Sequence, residues 1–96
     1  MNLTRFRHKG LKRLYVRDDA RGIPSEMVDK LRKLLFALET AENVDQVGCF
    51  PGWKLHPLKG ELEGFWSLTV TGNWRLIFRY AKSTNSAEEL DLVDYH

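Results

Sequence analysis

Three clusters along the chain carry groups able to move a proton or hold a negative charge. They are Lys54-Leu55-His56-Pro57-Leu58-Lys59-Gly60, Asn73-Trp74-Arg75, and the Asp94-Tyr95-His96 on which the sequence ends. Together they offer two imidazoles, a phenol, a carboxylate and fixed positive charge. That is the inventory for breaking an RNA phosphodiester without a metal: a base to take the 2′-hydroxyl proton, cations to hold the charge of the phosphorane, and an acid for the departing 5′-oxygen. Histidine suits either proton transfer, since its reference pKa of ~6.5 lies near working pH. His56 precedes a proline, which biases it to extended backbone and places its ring at a strand end. Arg75 can hold phosphate through its planar fork, and Lys59 can follow developing charge with a flexible ammonium. Arg79 is better suited to positioning backbone phosphate than to the chemistry. Tyr95 can donate a proton or stack on a base; Asp94 can orient an imidazole or take a proton itself.

These groups must be positioned by one small domain spanning residues 1–96. A chain of 96 residues with 43% hydrophobic content is large enough for a single core. Its formal charge of +2, from 15 basic and 13 acidic residues, does not by itself indicate nucleic acid. The distribution is more telling: Arg5, Arg7, Lys9, Lys12, Arg13 and Arg17 come before the first carboxylate, a basic start suited to a polyanion touching one side. The lone Cys49 reads as a partly buried loop thiol and fits a reducing, cytoplasmic location. No apolar run approaches a membrane span and the first residues lack a signal-peptide core, so no membrane association is expected. His8, His56 and His96 have no ligand-like spacing with Cys49, and the glycines are scattered rather than gathered in a phosphate loop; neither metal nor cofactor is expected.

The periodicity predicts two helices and then strands. Leu11, Leu14 and Tyr15 share a helical face over residues 9–21, with Gly22 as the expected terminator. Pro24 suits a first-turn position, and Met27, Leu31, Leu34, Leu35 and Leu38 recur at helical spacing as a core stripe. Residues 40–47 lose that period, and Gly48, Pro51 and Gly52 mark a loop. From Trp53 onward the period is two. Trp66, Leu68 and Val70 point one way, Gly72-Asn73 makes a hairpin turn, and Trp74, Leu76, Phe78 and Tyr80 continue the apolar face that meets the helices. The opposite face then carries Ser67, Thr69, Arg75, Ile77 and Arg79, an open candidate anion surface. Alternation does not orient Asp94 to His96, but strand ends can meet at one rim, so His56, Arg75 and the terminal triplet are expected to converge on one phosphate.

The ordered motifs Lys54 to Gly60, Gly64-Phe65-Trp66-Ser67, Asn73-Trp74-Arg75 and Asp94-Tyr95-His96 resemble those of HigB-type toxins in the RelE/ParE superfamily. One departure is that Thr69 and Thr71 stand where relatives often carry a basic residue before the Asn-Trp-Arg turn. The resemblance implies an α+β fold with two N-terminal helices packed on one face of a small antiparallel sheet. It also implies the toxin of a type II toxin–antitoxin system: a ribosome-dependent endoribonuclease that cleaves mRNA during translation. Its partners would be the ribosome, mRNA and a cognate helix-turn-helix antitoxin (HigA-like) in a hetero-oligomeric complex. His56, Arg75, Asp94, Tyr95 and His96 would then be catalytic, with Lys59, Asn73 and Arg79 on RNA phosphate. Lys9, Lys12 and Arg13, with Arg5 and Arg7, are candidates to dock on ribosomal RNA. Two other functions fit the same sequence: a gyrase-directed toxin on the same fold, and a non-catalytic nucleic-acid-binding module. The first has no evident use for His56, Asp94, Tyr95 and His96 together, and the second should show more exposed aromatic and basic side chains.

Overall fold

The computed structural model describes residues 1–94. In chain order they form β1 (Asn2–Leu3), α1 (Lys9–Arg17), α2 (Ser25–Thr40), the short α3 (Val44–Val47), β2 (His56–Pro57), a 3-10 turn (Gly60–Leu62), β3 (Phe65–Thr71), β4 (Trp74–Ala81) and β5 (Ser86–Asp94). The strands make one sheet in the order β1-β5-β4-β3-β2. This is the expected α+β architecture, but the sheet is mixed rather than purely antiparallel. β1 runs parallel to β5, which returns beside it after three α-helices and three strands. Among the described residues no helix is long and apolar enough to cross a membrane.

Local chemistry explains where the helices begin and end. His8 caps α1, its Nδ1 accepting the Leu11 N–H at 3.1 Å. The helix stops at Arg17, four residues short of the expected end, because Asp18 takes the left-handed conformation (φ 54°) and its N–H returns to the Leu14 carbonyl at 3.1 Å. Gly22, expected as the terminator, instead packs against Gly10. A Cβ on Gly10 would lie 2.4 Å from the Gly22 carbonyl oxygen, and one on Gly22 would lie 2.7 Å from the Gly10 Cα. α2 follows its pattern: Met27, Leu31, Leu34, Leu35 and Leu38 are all buried. Its last carbonyls are satisfied from outside the helix, Leu38, Glu39 and Ala41 accepting from the Met1 amino nitrogen at 3.1, 2.8 and 2.6 Å. Residues 44–47, which show no helical period, form one turn capped by Asn43 that buries Val44 and Val47. A single turn is too short to show a period.

The sheet divides into two faces as the alternation predicts. Leu68, Val70, Leu76 and Phe78, with Ala87, Leu90 and Leu92, form the core beneath α1 and α2, and Trp66, Trp74 and Tyr80 pack at its edges. Each fully buried side chain of this kind contributes roughly 1.5–3 kcal/mol. The opposite face is less open than its sequence suggests. Leu58, Phe65 and Ile77 are buried there in a second cluster, with Leu62 and Val93 against it, and Ser67 is buried as well. The segment carrying β2 and the 3-10 turn folds back over that part of the sheet. Two bulges interrupt the ladders, one extra residue in β3 between Thr69 and Thr71 and one in β5, where Glu89 adopts φ 54°. Cys49 is exposed rather than partly buried.

Two expected outcomes follow from the helix layer. Gly10→Ala forces a methyl into the Gly22 backbone and should lower unfolding free energy in urea by about 1–3 kcal/mol. The second concerns Tyr15, which stacks on Phe6 at 5.4 Å between ring centroids and donates its hydroxyl proton to Glu39 of α2. Burial, then the hydrogen bond and charge of Glu39, push the phenol up to about 12. Because the folded pKa lies above the unfolded value of ~10, this stabilisation is complete below pH ~10 and is lost as pH rises toward 12. Tyr15→Phe should flatten the stability curve, followed by urea unfolding, across that window.

Candidate active site

β4 and its neighbours define the surface on which the candidate residues lie. Side chains directly opposite across a ladder share a face. Phe65 pairs with Arg79, Ser67 with Ile77 and Thr69 with Arg75. Ile77 in turn pairs with Asp91, and Arg75 with Val93. His56 pairs with Ser67 and so joins this face, turned away from the helices. Arg75 and Arg79, four residues apart, are separated by about 13 Å along β4, and the row of His56 falls between them.

His56 is exposed, and its Nδ1 lies 3.0 Å from the Lys54 carbonyl oxygen. A carbonyl can only accept, so Nδ1 donates to it and Nε2 is the ring nitrogen left to face a substrate. Only two residues long, β2 depends on its continuation: the Leu58 N–H donates to the Phe65 carbonyl at 2.8 Å while the Leu58 side chain enters the second cluster. Arg75 is half-buried and bends back over the hairpin, its Nη1 donating to the carbonyls of Gly72 at 2.7 Å and Trp74 at 3.0 Å. These bonds fix the fork beside the turn and use two of its five N–H groups. Asn73 is exposed in that turn, and Lys59 is exposed at the start of the 3-10 turn. The Arg79 guanidinium lies over the Phe65 ring, 4.8 Å from its centroid.

Other expected members of the site are placed elsewhere. Asp94 sits at the sheet rim but pairs with Trp74, which puts it on the helix side, across the strand from Arg75. Tyr95 and His96 lie outside the described residues. Lys9, Lys12 and Arg13 are exposed on α1, in the layer on the other side of the sheet from His56 and Arg75, where they line a groove with Val16 and Arg17. Arg7, expected to belong with them, is instead on the site face, 5.3 Å from the Phe65 ring centroid and paired with Glu89 at 2.9 Å. Neither Glu89 nor Asp91 was singled out in the sequence. Asp91 was accessible from the Leu90-Asp91-Leu92 alternation, whereas Glu89 reaches this face through a bulge that alternation does not reveal.

Residues 4–96 match the family model described as the RelE-like toxin of type II toxin-antitoxin system HigB. The chain belongs to this family. It is 41% identical over 91 residues to the Endoribonuclease HigB of Proteus vulgaris, covering 95% of this chain and 96% of that protein. It is 34% identical over 92 residues to Toxin HigB-1 of Vibrio cholerae, covering 94% and 96% respectively. The fold is similar to that of a chain in the YoeB-YefM complex from Staphylococcus aureus, with a TM-score of 0.56, 17% identity and coverage of 100% of this chain and 98% of that one.

Within this HigB-like chain, the surface around His56 rests on the second cluster, a small support independent of the main core. Leu58 is 6% exposed and is the only residue of that cluster contributed by the segment adjoining β2 to be so buried. Leu58→Ala should lower stability by about 2–5 kcal/mol in urea unfolding. It should also shift the His56 imidazole resonances in NMR spectra, while a distant core truncation of equal cost, Leu31→Ala, should leave them in place.

Proposed function

We propose that this chain is a type II toxin that cleaves mRNA in translating ribosomes as an endoribonuclease. The observation that carries this reading is the placing of His56, its Nδ1 held by the Lys54 carbonyl and its Nε2 left outward, on the same sheet face as Arg75. The Proteus vulgaris relative, named an endoribonuclease, points to the same chemistry.

In the proposed reaction Nε2 of His56 takes the 2′-hydroxyl proton as the oxygen attacks phosphorus. The bond to the 5′-oxygen breaks, and Tyr95 or His96 supplies its proton, since Asp94 lies on the helix side of the sheet. The products are a 2′,3′-cyclic phosphate and a free 5′-hydroxyl. Arg75 and Lys59 hold the negative charge of the phosphorane, while Asn73 and Arg79 position the strand. These side chains supply base, acid and charge, so the scheme calls on no cofactor. A domain of net charge +2 has little means to capture and orient free RNA, so the ribosome presents the substrate, with Lys9, Lys12 and Arg13 as docking residues. The Staphylococcus aureus YoeB is found with YefM; by analogy this toxin is held by a cognate helix-turn-helix antitoxin (HigA-like) in the cytoplasm.

Induction without antitoxin should arrest growth and create new mRNA ends inside translated frames, read by primer extension. His56→Ala should reduce single-turnover cleavage about 10²- to 10⁴-fold on programmed ribosomes, the cost typical of losing a proton-transfer group. Arg75→Ala should be comparably defective and Arg75→Lys only partly restored, because the fork is lost. Arrest with intact transcripts and double-strand DNA breaks would overturn the reading in favour of a gyrase poison.

A further inference from the structure

Phe65 is the meeting point of two arginines that come from opposite ends of the sequence. The Arg7 and Arg79 guanidinium carbons lie 5.3 and 4.8 Å from the centroid of this one ring, which is itself only 3% exposed. Both side chains are exposed, so two positive forks are held together at the surface despite their mutual repulsion. Each has its own fastening. The Arg7 N–H donates to the Leu90 carbonyl at 2.8 Å, and its Nε donates to the Glu89 carboxylate at 2.9 Å. That ion pair engages Nε and leaves the two Nη groups for a second acceptor. Glu89 reaches Arg7 from the β5 bulge, where its φ of 54° departs from extended backbone. The Arg79 guanidinium lies against Gly64, at φ 94°: a Cβ there would come within 2.7 Å of Nη1 and push the group from its seat. A bulge, a glycine and a buried ring therefore act together to aim two guanidinium groups from one spot.

We infer that Arg7 and Arg79, seated on Phe65, form a second phosphate subsite that grips the RNA backbone away from the bond being cut. This rests on the endoribonuclease reading above. The subsite lies on the face of His56 and Arg75, with Arg79 about 13 Å along β4 from Arg75 and the His56 row between them. A strand laid along β4 with its reacting phosphate near Arg75 and His56 thus meets Arg7 and Arg79 further along. The chemistry selects phosphate over base, since both guanidinium groups belong to exposed side chains while the ring beneath is too covered to stack on a nucleobase. Such a grip is indifferent to sequence. It also supplies positive charge that Thr69 does not provide beside Arg75.

The test uses ribosomes programmed with mRNA carrying a 2′-deoxynucleotide at the cleavage position, which binds but lacks the nucleophile. Arg7→Gln and Arg79→Gln, each keeping a stem over Phe65, should weaken binding several-fold, and the double variant more. The slope of log affinity against log salt should fall by about one for each arginine removed. The losses should be the same for different codons at the cut position, and Arg7→Lys and Arg79→Lys should recover most of the affinity. On unmodified mRNA the half-saturating toxin concentration should rise far more than the saturated single-turnover rate falls. Affinity and salt slope unchanged in the double glutamine variant, or a defect confined to the saturated rate, would overturn the subsite while leaving the endoribonuclease reading in place. Arginine-dependent binding by a parental protein that never cleaves unmodified mRNA would instead keep the subsite and remove that reading.

Discussion

The alternation of side chains along β4 is the constraint on which the rest of the molecule depends. This strand is hydrogen-bonded to β3 on one side and β5 on the other. Leu76 and Phe78 enter the helix-covered core, while Arg75, Ile77 and Arg79 face the other way. A slip of one residue would put Phe78 into water and Arg79 beneath the helices, exchanging hydrophobic burial for an unpaired charge. Both bulges place their extra residue in a neighbour of β4, in β3 and β5, so the spacing from Arg75 to Arg79 is that of regular extended chain.

Around this strand the two faces do different work. The helix-covered side gathers most of the buried apolar residues. The other side must stay accessible, yet a bare sheet face would leave a two-residue β2 without support. Its solution is a cluster of three buried residues, Leu58, Phe65 and Ile77, under the middle of the surface, with His56 and the arginines around it. Phe65 belongs to both purposes: its ring packs into the cluster from within and carries two guanidinium groups above. The cationic groups are held by contacts with ring, turn carbonyls and Glu89, so less of their side-chain entropy remains to be lost on meeting a phosphate.

Much of this was legible in the sequence, and what was not has identifiable causes. The α2 stripe from Met27 to Leu38, the Gly72-Asn73 hairpin and the helix-facing set through Phe78 follow from periods of 3.6 and two, which a single chain displays. The end of α1 was misplaced because Asp18 can take a left-handed conformation usually given to glycine, and Gly22 was needed for close approach to Gly10. The open face was overdrawn because Leu58 and Leu62 reach it from a segment with no regular period. In the site, the expected meeting of His56 and Arg75 rested on the proline after His56 and on strand ends gathering at one rim, and the face they share needed the β2–β3 and β3–β4 registers. The helix-side position of Asp94 needed the β4–β5 register, and the placing of Arg7 needed residues 5–7 to be known as a companion of Leu90.

The parallel pairing of β1 with β5 has a further meaning in time. β5 lies between β1 and β4, so the strand made last is inserted between the strand made first and the centre of the sheet. Before it emerges, Asn2 and Leu3 have no ladder partner, the segment through Arg7 has no Leu90 to bind, and the core lacks Ala87, Leu90 and Leu92. Contacts between such distant parts of a chain close late, since the intervening loop entropy must be overcome first. Biosynthesis therefore delays assembly of the Arg7 and β5 side of the surface until β5 has been made. In the role proposed for it, an agent directed at working ribosomes lacks part of its surface until β5 has left the one that is making it.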